Sequence, residues 1–249
     1  MQNSPLNFPA TLTVTGQTID ISGFHRAQKD FYLNLFWETV EIYRAAKKPR
    51  GIIGFAGPTG AGKSVVTVLF KELAKQAGLP FAIECVTIDA YHYPNSYLLA
   101  HDSEGVPLKQ VKGRFDTYEV AALAGDLQAF AAGGSVAFPE YSRTLHDPVP
   151  NRILVAAPAA LLLLEGLWLL FDQGGWAAIK PRLDFCYFID SDKERTRSAV
   201  IKRHMAGGRT REDAARHYEA VDGHNSDLTL QTRPLASKVI PPYYLIGQG

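Results

Sequence analysis

The run GPTGAGKS, Gly57 to Ser64, constrains what this chain can fold into more than any other stretch. It fits the pattern G-x-x-x-x-G-K-[ST]. Glycines let the backbone turn so that successive N–H groups point inward at phosphate oxygens, and the helix that follows adds the positive end of its dipole. Such a cradle has to leave a strand and enter a helix, and both are present. GIIGFAG (51–57) reads as a short buried strand, and residues 62–77 carry a helical apolar period. In that setting Gly57, Pro58, Thr59, Gly60, Ala61, Gly62, Lys63, Ser64 and Val65 are the expected nucleotide contacts. Lys63 would reach the β- and γ-phosphates of ATP, and the Ser64 hydroxyl would ligate Mg²⁺.

The rest of the chain alternates in the same way. FAIECVTID (81–89), SVAFPEY, ALLLLEG, LDFCYFID (183–190) and SKVI read as strands, and 117–132 as a helix. A basic helix begins near Asp192 and breaks at AGG (206–208), after which Thr210 caps a further helix with Asp213 three residues on. Strands alternating with helices predict an α/β P-loop NTPase fold, a doubly wound, mostly parallel sheet with helices on both faces. Upstream, TLTVTGQTIDIS (11–22) predicts a hairpin around Gly16-Gln17, and 25–48 a helix. These form an N-terminal extension, 1–48, ahead of a P-loop domain over 49–249. The segments 92–117 and 142–151, rich in Pro, Gly and Asp, read as irregular, and loops of that length are usually functional.

Bulk properties exclude several classes. With 249 residues, 46% apolar and 20% charged, the chain has the balance of a globular domain. A formal net charge of +1 argues against nucleic-acid binding by broad phosphate neutralisation, but leaves room for a small anionic ligand in a local pocket. Cys85 and Cys186 fall in apolar runs and read as two reduced thiols, and the first residues lack a secretion signal, so a cytoplasmic protein is expected. The apolar stretch 153–171 approaches membrane-spanning length, but Pro158, Glu165 and Gly166 interrupt it, which favours buried strands and the start of a helix.

In a doubly wound sheet ligands gather at the C-terminal strand ends. Asp89, closing one strand, and Glu165, closing another, are therefore expected beside the cradle. Two carboxylates near a triphosphate divide the labour: Glu165 near Mg²⁺, and Asp89 orienting an attacking hydroxyl and taking its proton. Asp190 is the alternative metal carboxylate, with an N-cap role for Asp190 or Ser191 equally in view. An N-K-x-D run and an L-S-G-G-Q run are both absent, which leaves a small-molecule kinase or an ATP-hydrolysing switch.

GPTGAGKS, TIDAYHYPN, KGRFDTYEV, PEYSRTLHDPVP, LLLLEG and LQTRPLASKVI, in this order, resemble the phosphoribulokinases, uridine kinases and type I pantothenate kinases. The likeness runs from about 50 to 241 and is nearest the pantothenate kinases and the bacterial kinases associated with fructose transport systems. It implies an ATP- and Mg²⁺-dependent kinase acting on a hydroxyl of a sugar, polyol or related metabolite, with a homodimer expected. Pantothenate or a nucleoside is the alternative acceptor, and an ATP-hydrolysing regulator of sugar transport the alternative of another kind. By the same resemblance 192–216 is a helical lid hinged at Gly207-Gly208, in which Arg203 contacts the transferring phosphate. Tyr93, Asn95, Tyr141, Arg143, His146 and Asn225 are the expected acceptor contacts. The pantothenate kinases carry a histidine at the place of Arg143 and an aromatic at that of Val200, which points toward the sugar-kinase-like members.

Overall fold

The computed structural model describes residues 6–246. The chain opens with an antiparallel hairpin, β1 (Thr11–Val14) and β2 (Gln17–Asp20), followed by α1 (Arg26–Ala45). The hairpin turn is Thr15-Gly16, one residue before the expected position, because Val14 pairs with Gln17. Then come β3 (Arg50–Ala56), α2 (Lys63–Ala77) and β4 (Ala82–Thr87). β4 ends at Thr87, and Asp89 lies in the 3₁₀ turn Ile88–Tyr91 that follows rather than in the strand. Thr87 makes that turn by accepting a hydrogen bond from the Asp89 N–H at 3.3 Å.

Two stretches expected to be irregular hold regular structure. Within 92–117 lie α3 (Asn95–Ala100) and a minimal pair, β5 (Asp102–Ser103) and β6 (Val106–Pro107). After α4 (Val120–Ala131), β7 (Val136–Ser142) and β8 (Asp147–Val155) form a long two-stranded hairpin. β8 pairs with β7 alone, so Pro148 and Pro150 occupy a strand whose other edge needs no N–H donors. β9 (Ala160–Glu165), β10 (Phe185–Ile189), α5 (Lys193–Ala206), α6 (Arg211–His217), the π-turn Tyr218–Asp222, α7 (Gly223–Gln231) and β11 (Lys238–Ile240) complete the order.

The central sheet has the order β11-β10-β3-β9-β4, with every neighbouring pair parallel. A parallel sheet covered on both faces needs strands that are apolar at every position. β9 meets that requirement: Leu162 and Leu164 face a core with Val86, Leu127 and Trp168, while Leu161 and Leu163 face one with Phe36, Phe55 and Phe70. The second core also takes in Leu12 and Val14 of the hairpin and Tyr32, Leu35 and Val40 of α1, so the N-terminal extension packs onto the sheet. Among the described residues no helix is long and apolar enough to cross a membrane.

Candidate active site

The strand order builds the site. β9 lies between β3 and β4, and Phe55, Glu165 and Thr87 share one row of the sheet. Two residues beyond that row β3 opens into the cradle at Gly57, and two residues beyond it β4 delivers Asp89. Glu165 therefore stands between them. Lys63, Ser64, Asp89 and Glu165 all line a single cavity of about 710 Å³.

The cradle is held by backbone geometry. Gly57 has φ +145, and a Cβ there would sit 2.5 Å from the Ile189 carbonyl oxygen at the end of β10. Only glycine satisfies both conditions. α2 begins at Lys63 without a side-chain cap, so its first N–H groups are available to an anion. The buried Lys63 ammonium donates to the carbonyl oxygens of Gly57 (2.8 Å) and Pro58 (2.9 Å), which ties the loop to the helix. Burial depresses its pKa, while Glu165 and Asp89 favour its charged form.

The Ser64 hydroxyl donates to Glu165 Oε1 at 2.8 Å. Glu165 is buried, and burial, opposed by Lys63 and reinforced by Asp89, holds its carboxyl above the usual glutamate range. A hydroxyl and a buried carboxylate are the hard oxygen donors that suit Mg²⁺. Asp89 behaves in the opposite way. Burial opposes its ionisation, but His92, Arg143, Arg203 and Lys63 outweigh that, and its carboxyl sits below the usual aspartate range. His92, buried with Nδ1 2.8 Å from the Asp89 carbonyl oxygen, is pushed down to about 4 by burial, against the pull of the Asp89 charge.

Arg203 reaches the cavity from α5 and makes no ion pair among the described residues. α5 rests on the cradle: a Cβ at Gly60 would meet Val200 Cγ2 at 3.0 Å and the Thr196 carbonyl oxygen at 3.2 Å. Asp192 caps α5 by accepting from the Arg195 N–H, so neither Asp190 nor Ser191 is the cap. Asp190 instead pairs with Arg233 at 3.0 Å. Past the Gly207-Gly208 break, Thr210 caps α6 as expected. His204 of α5 and His217 of α6 close on one oxygen of Asp222, at 2.8 and 3.9 Å, joining both helices to the π-turn.

Tyr141, Arg143, His146 and Asn225 line the cavity alongside Thr59, Gly60, Gly62 and Val65. Gly57, Pro58 and Ala61 lie behind the lining, the first two with their carbonyls on Lys63 and the third in a core. Tyr93 and Asn95 are also outside it. The Tyr93 ring stacks on Tyr97 at 4.3 Å. The Asn95 side chain is taken up in structure: Oδ1 accepts from Lys109 and Lys112, and Nδ2 donates to the His146 carbonyl oxygen.

Sequence reasoning missed several contributors. Lys109 and Lys112 line the cavity, and Lys112 is held down to about 8 by burial and the charge of Lys109. KGRF, the motif containing Lys112, was the available signal. Trp168 and Trp176 donate their indole N–H groups to the carbonyls of Gly113 (3.0 Å) and Phe115 (2.8 Å), pinning this segment at the cavity edge. Val14, Thr15, Gln17 and Ile19 of the hairpin form a further wall.

The model of the phosphoribulokinase/uridine kinase family matches residues 52–227, from the first strand of the cradle through the lid and into α7. The chain belongs to that family. Its resemblance to individual kinases is uneven in extent. It is 31% identical to the uncharacterized protein YggC of Escherichia coli (strain K12) over 92% of this chain and 93% of that one. A pantothenate kinase of Agrobacterium fabrum (strain C58 / ATCC 33970) is 29% identical over 62% of this chain and 48% of its own, so the chain spans about half of that relative. Among solved structures, a candidate fructose transport system kinase from Silicibacter sp. TM1040 superposes with a TM-score of 0.74 at 21% identity, covering 84% of this chain and 98% of that one, which shows the same fold. Membership makes the protein a P-loop kinase, a phosphotransferase whose family uses ATP and Mg²⁺.

Proposed function

We propose that this kinase transfers the γ-phosphate of ATP to a hydroxyl of a small metabolite, a sugar, polyol or related compound. The observation that carries the reading is the convergence of Lys63, the Ser64–Glu165 pair, Asp89 and Arg203 on one cavity. The α2 N-terminus and Lys63 would hold the triphosphate. Ser64 and Glu165 would hold Mg²⁺, which when bound neutralises charge on the β- and γ-phosphates. The acceptor oxygen attacks the γ-phosphorus, the bond from that phosphorus to the bridging oxygen of ADP breaks, and the acceptor proton passes to Asp89. A carboxylate that stays ionised at neutral pH is ready for that proton. The Arg203 guanidinium, which lines the cavity and makes no ion pair among the described residues, would meet charge on the transferring group. Residues 192–216 would act as the lid, with Gly208 at φ +96 in the hinge.

Tyr141, Arg143, His146 and Asn225 are proposed as acceptor contacts. Pantothenate belongs among the acceptors to try, because pantothenate kinases are relatives. The experiment is a panel of sugars, polyols, nucleosides and pantothenate incubated with ATP and Mg²⁺, with ADP release and product mass followed together. A mass gain of one phosphoryl group on one acceptor is expected. ADP released at the same rate with every compound and with none, and raised by a partner protein, would replace the reading with that of an ATP-hydrolysing regulator.

A further inference from the structure

The hairpin turn carries a residue that turn chemistry would not choose. A two-residue turn with both central φ angles positive favours Asn-Gly or Gly-Gly. Here the angles are +46 at Thr15 and +80 at Gly16. A β-branched residue in the left-handed region is a genuine outlier, and such strain persists where something else holds it. What threonine brings to this position is a hydroxyl. The Arg143 Nε–H donates to Thr15 Oγ1 at 2.6 Å, across 128 residues of chain.

That contact lies inside the cavity. Arg143 sits in the β7–β8 connection, and Thr15, Val14, Gln17 and Ile19 line the same space as Asp89. The arginine needs an anchor. Lys112 and Arg203 line the cavity with it, and Arg203 is near enough that the charge of Arg143 disfavours its own. The connection itself is tied down at the His146 carbonyl by Asn95 and Lys112, so the Thr15 bond acts on the arginine side chain. A bond at Nε fixes the plane of the guanidinium and leaves both terminal NH₂ groups to face a ligand. The hairpin itself is rigidly seated, with Leu12 and Val14 buried against α2. It also lies outside the residues that the family model covers.

We infer that Thr15 is the positioning residue for Arg143, and that the N-terminal hairpin is thereby part of the acceptor end of the cleft. The acceptor half of this inference rests on the reading above, whereas the anchoring half does not.

The test compares Thr15→Gly, which removes the hydroxyl and also the strain, with Thr15→Ser, which keeps the hydroxyl. The full chain is used, with the Arg143 Nε–H resonance assigned by its loss in Arg143→Lys. In Thr15→Gly solvent exchange of that N–H should quicken about tenfold or more, while the melting temperature holds or rises. Thr15→Ser should keep the slow exchange. Exchange in Thr15→Gly at the original rate overturns the anchoring. With any acceptor that the panel identifies, Thr15→Gly should raise the acceptor KM roughly tenfold and leave the ATP KM unchanged, the scale of one hydrogen bond to a charged group. An unchanged acceptor KM overturns the role in the cleft. A panel without any phosphorylated product would defeat the kinase reading, and the arginine resonance would still decide the anchoring.

Discussion

Replacing Asp89 with asparagine keeps the shape of the side chain and removes its charge and its capacity to take a proton. A positioned general base accounts for about 10²–10⁴ in rate, or roughly 2.7–5.5 kcal/mol at about 1.36 kcal/mol per factor of ten. The cavity sets the sign of the effect on ATP. Lys63, Arg143 and Arg203 act on Asp89, and with its charge gone they present a more positive surface to an anionic nucleotide. Turnover of Asp89→Asn should fall by about 10²–10⁴, with the ATP KM unchanged or lower. Stability should fall a little. Because the Asp89 carboxyl is depressed in the folded state, its charge contributes stability above the unfolded aspartate pKa, and the neutral amide gives that up. Initial rates across ATP and acceptor concentrations, with a thermal melt of each variant, make the measurement. Turnover within threefold of the original protein, in a variant that binds ATP, would remove Asp89 from proton transfer.

Glu165→Gln carries the opposite stability sign: a carboxyl held above its usual range is destabilising when charged, so the variant should melt at the same temperature or higher while needing far more Mg²⁺ for turnover. In the original protein the Mg²⁺ requirement should climb on acidification at a pH above the usual glutamate value, before Asp89 protonates, and a requirement flat with pH would contradict the assignment. Gly57→Ala sets a Cβ against the Ile189 backbone, and should cost about 2 kcal/mol or more, a drop of roughly 4–8 °C in Tm for a chain of this size. A wild-type melt would refute the close approach. Cys186 is buried, with its thiol pushed up to about 12, so a thiol-specific reagent should label it only after denaturation.

The cradle was legible because a strand, a glycine pattern and a helix follow one another within a few residues, and local signals are what a sequence displays best. Strand order was not. The apolar runs of β3, β4 and β9 mark each as a buried strand, but nothing in them says that β9 inserts between the other two, which is what sets Glu165 beside Asp89. Asp89 looked like a strand residue because Ile88 continues the apolar run, whereas the Thr87 hydroxyl bends the chain one residue earlier. Pro148 and Pro150 hid β8, and α3, six residues long, is too short for its period to be read. Asn95 looked like a ligand contact, and its amide is spent on Lys109, Lys112 and the His146 carbonyl. The hairpin turn had no visible purpose, since its partner lies far away in the chain.

The position of β9 also dictates when the protein can come together. β3 and β4 leave the ribosome early, yet they never pair with each other, and the seat between them is filled only when the leucines of 161–164 emerge. Until then each presents an apolar edge with unanswered N–H and C=O groups, the kind of surface that invites aggregation or a chaperone. The nascent chain therefore exposes the phosphate-loop residues well before it holds Glu165 in place. Assembly of the metal pair and closure of the sheet become one late folding event, slow because its contacts span so much sequence.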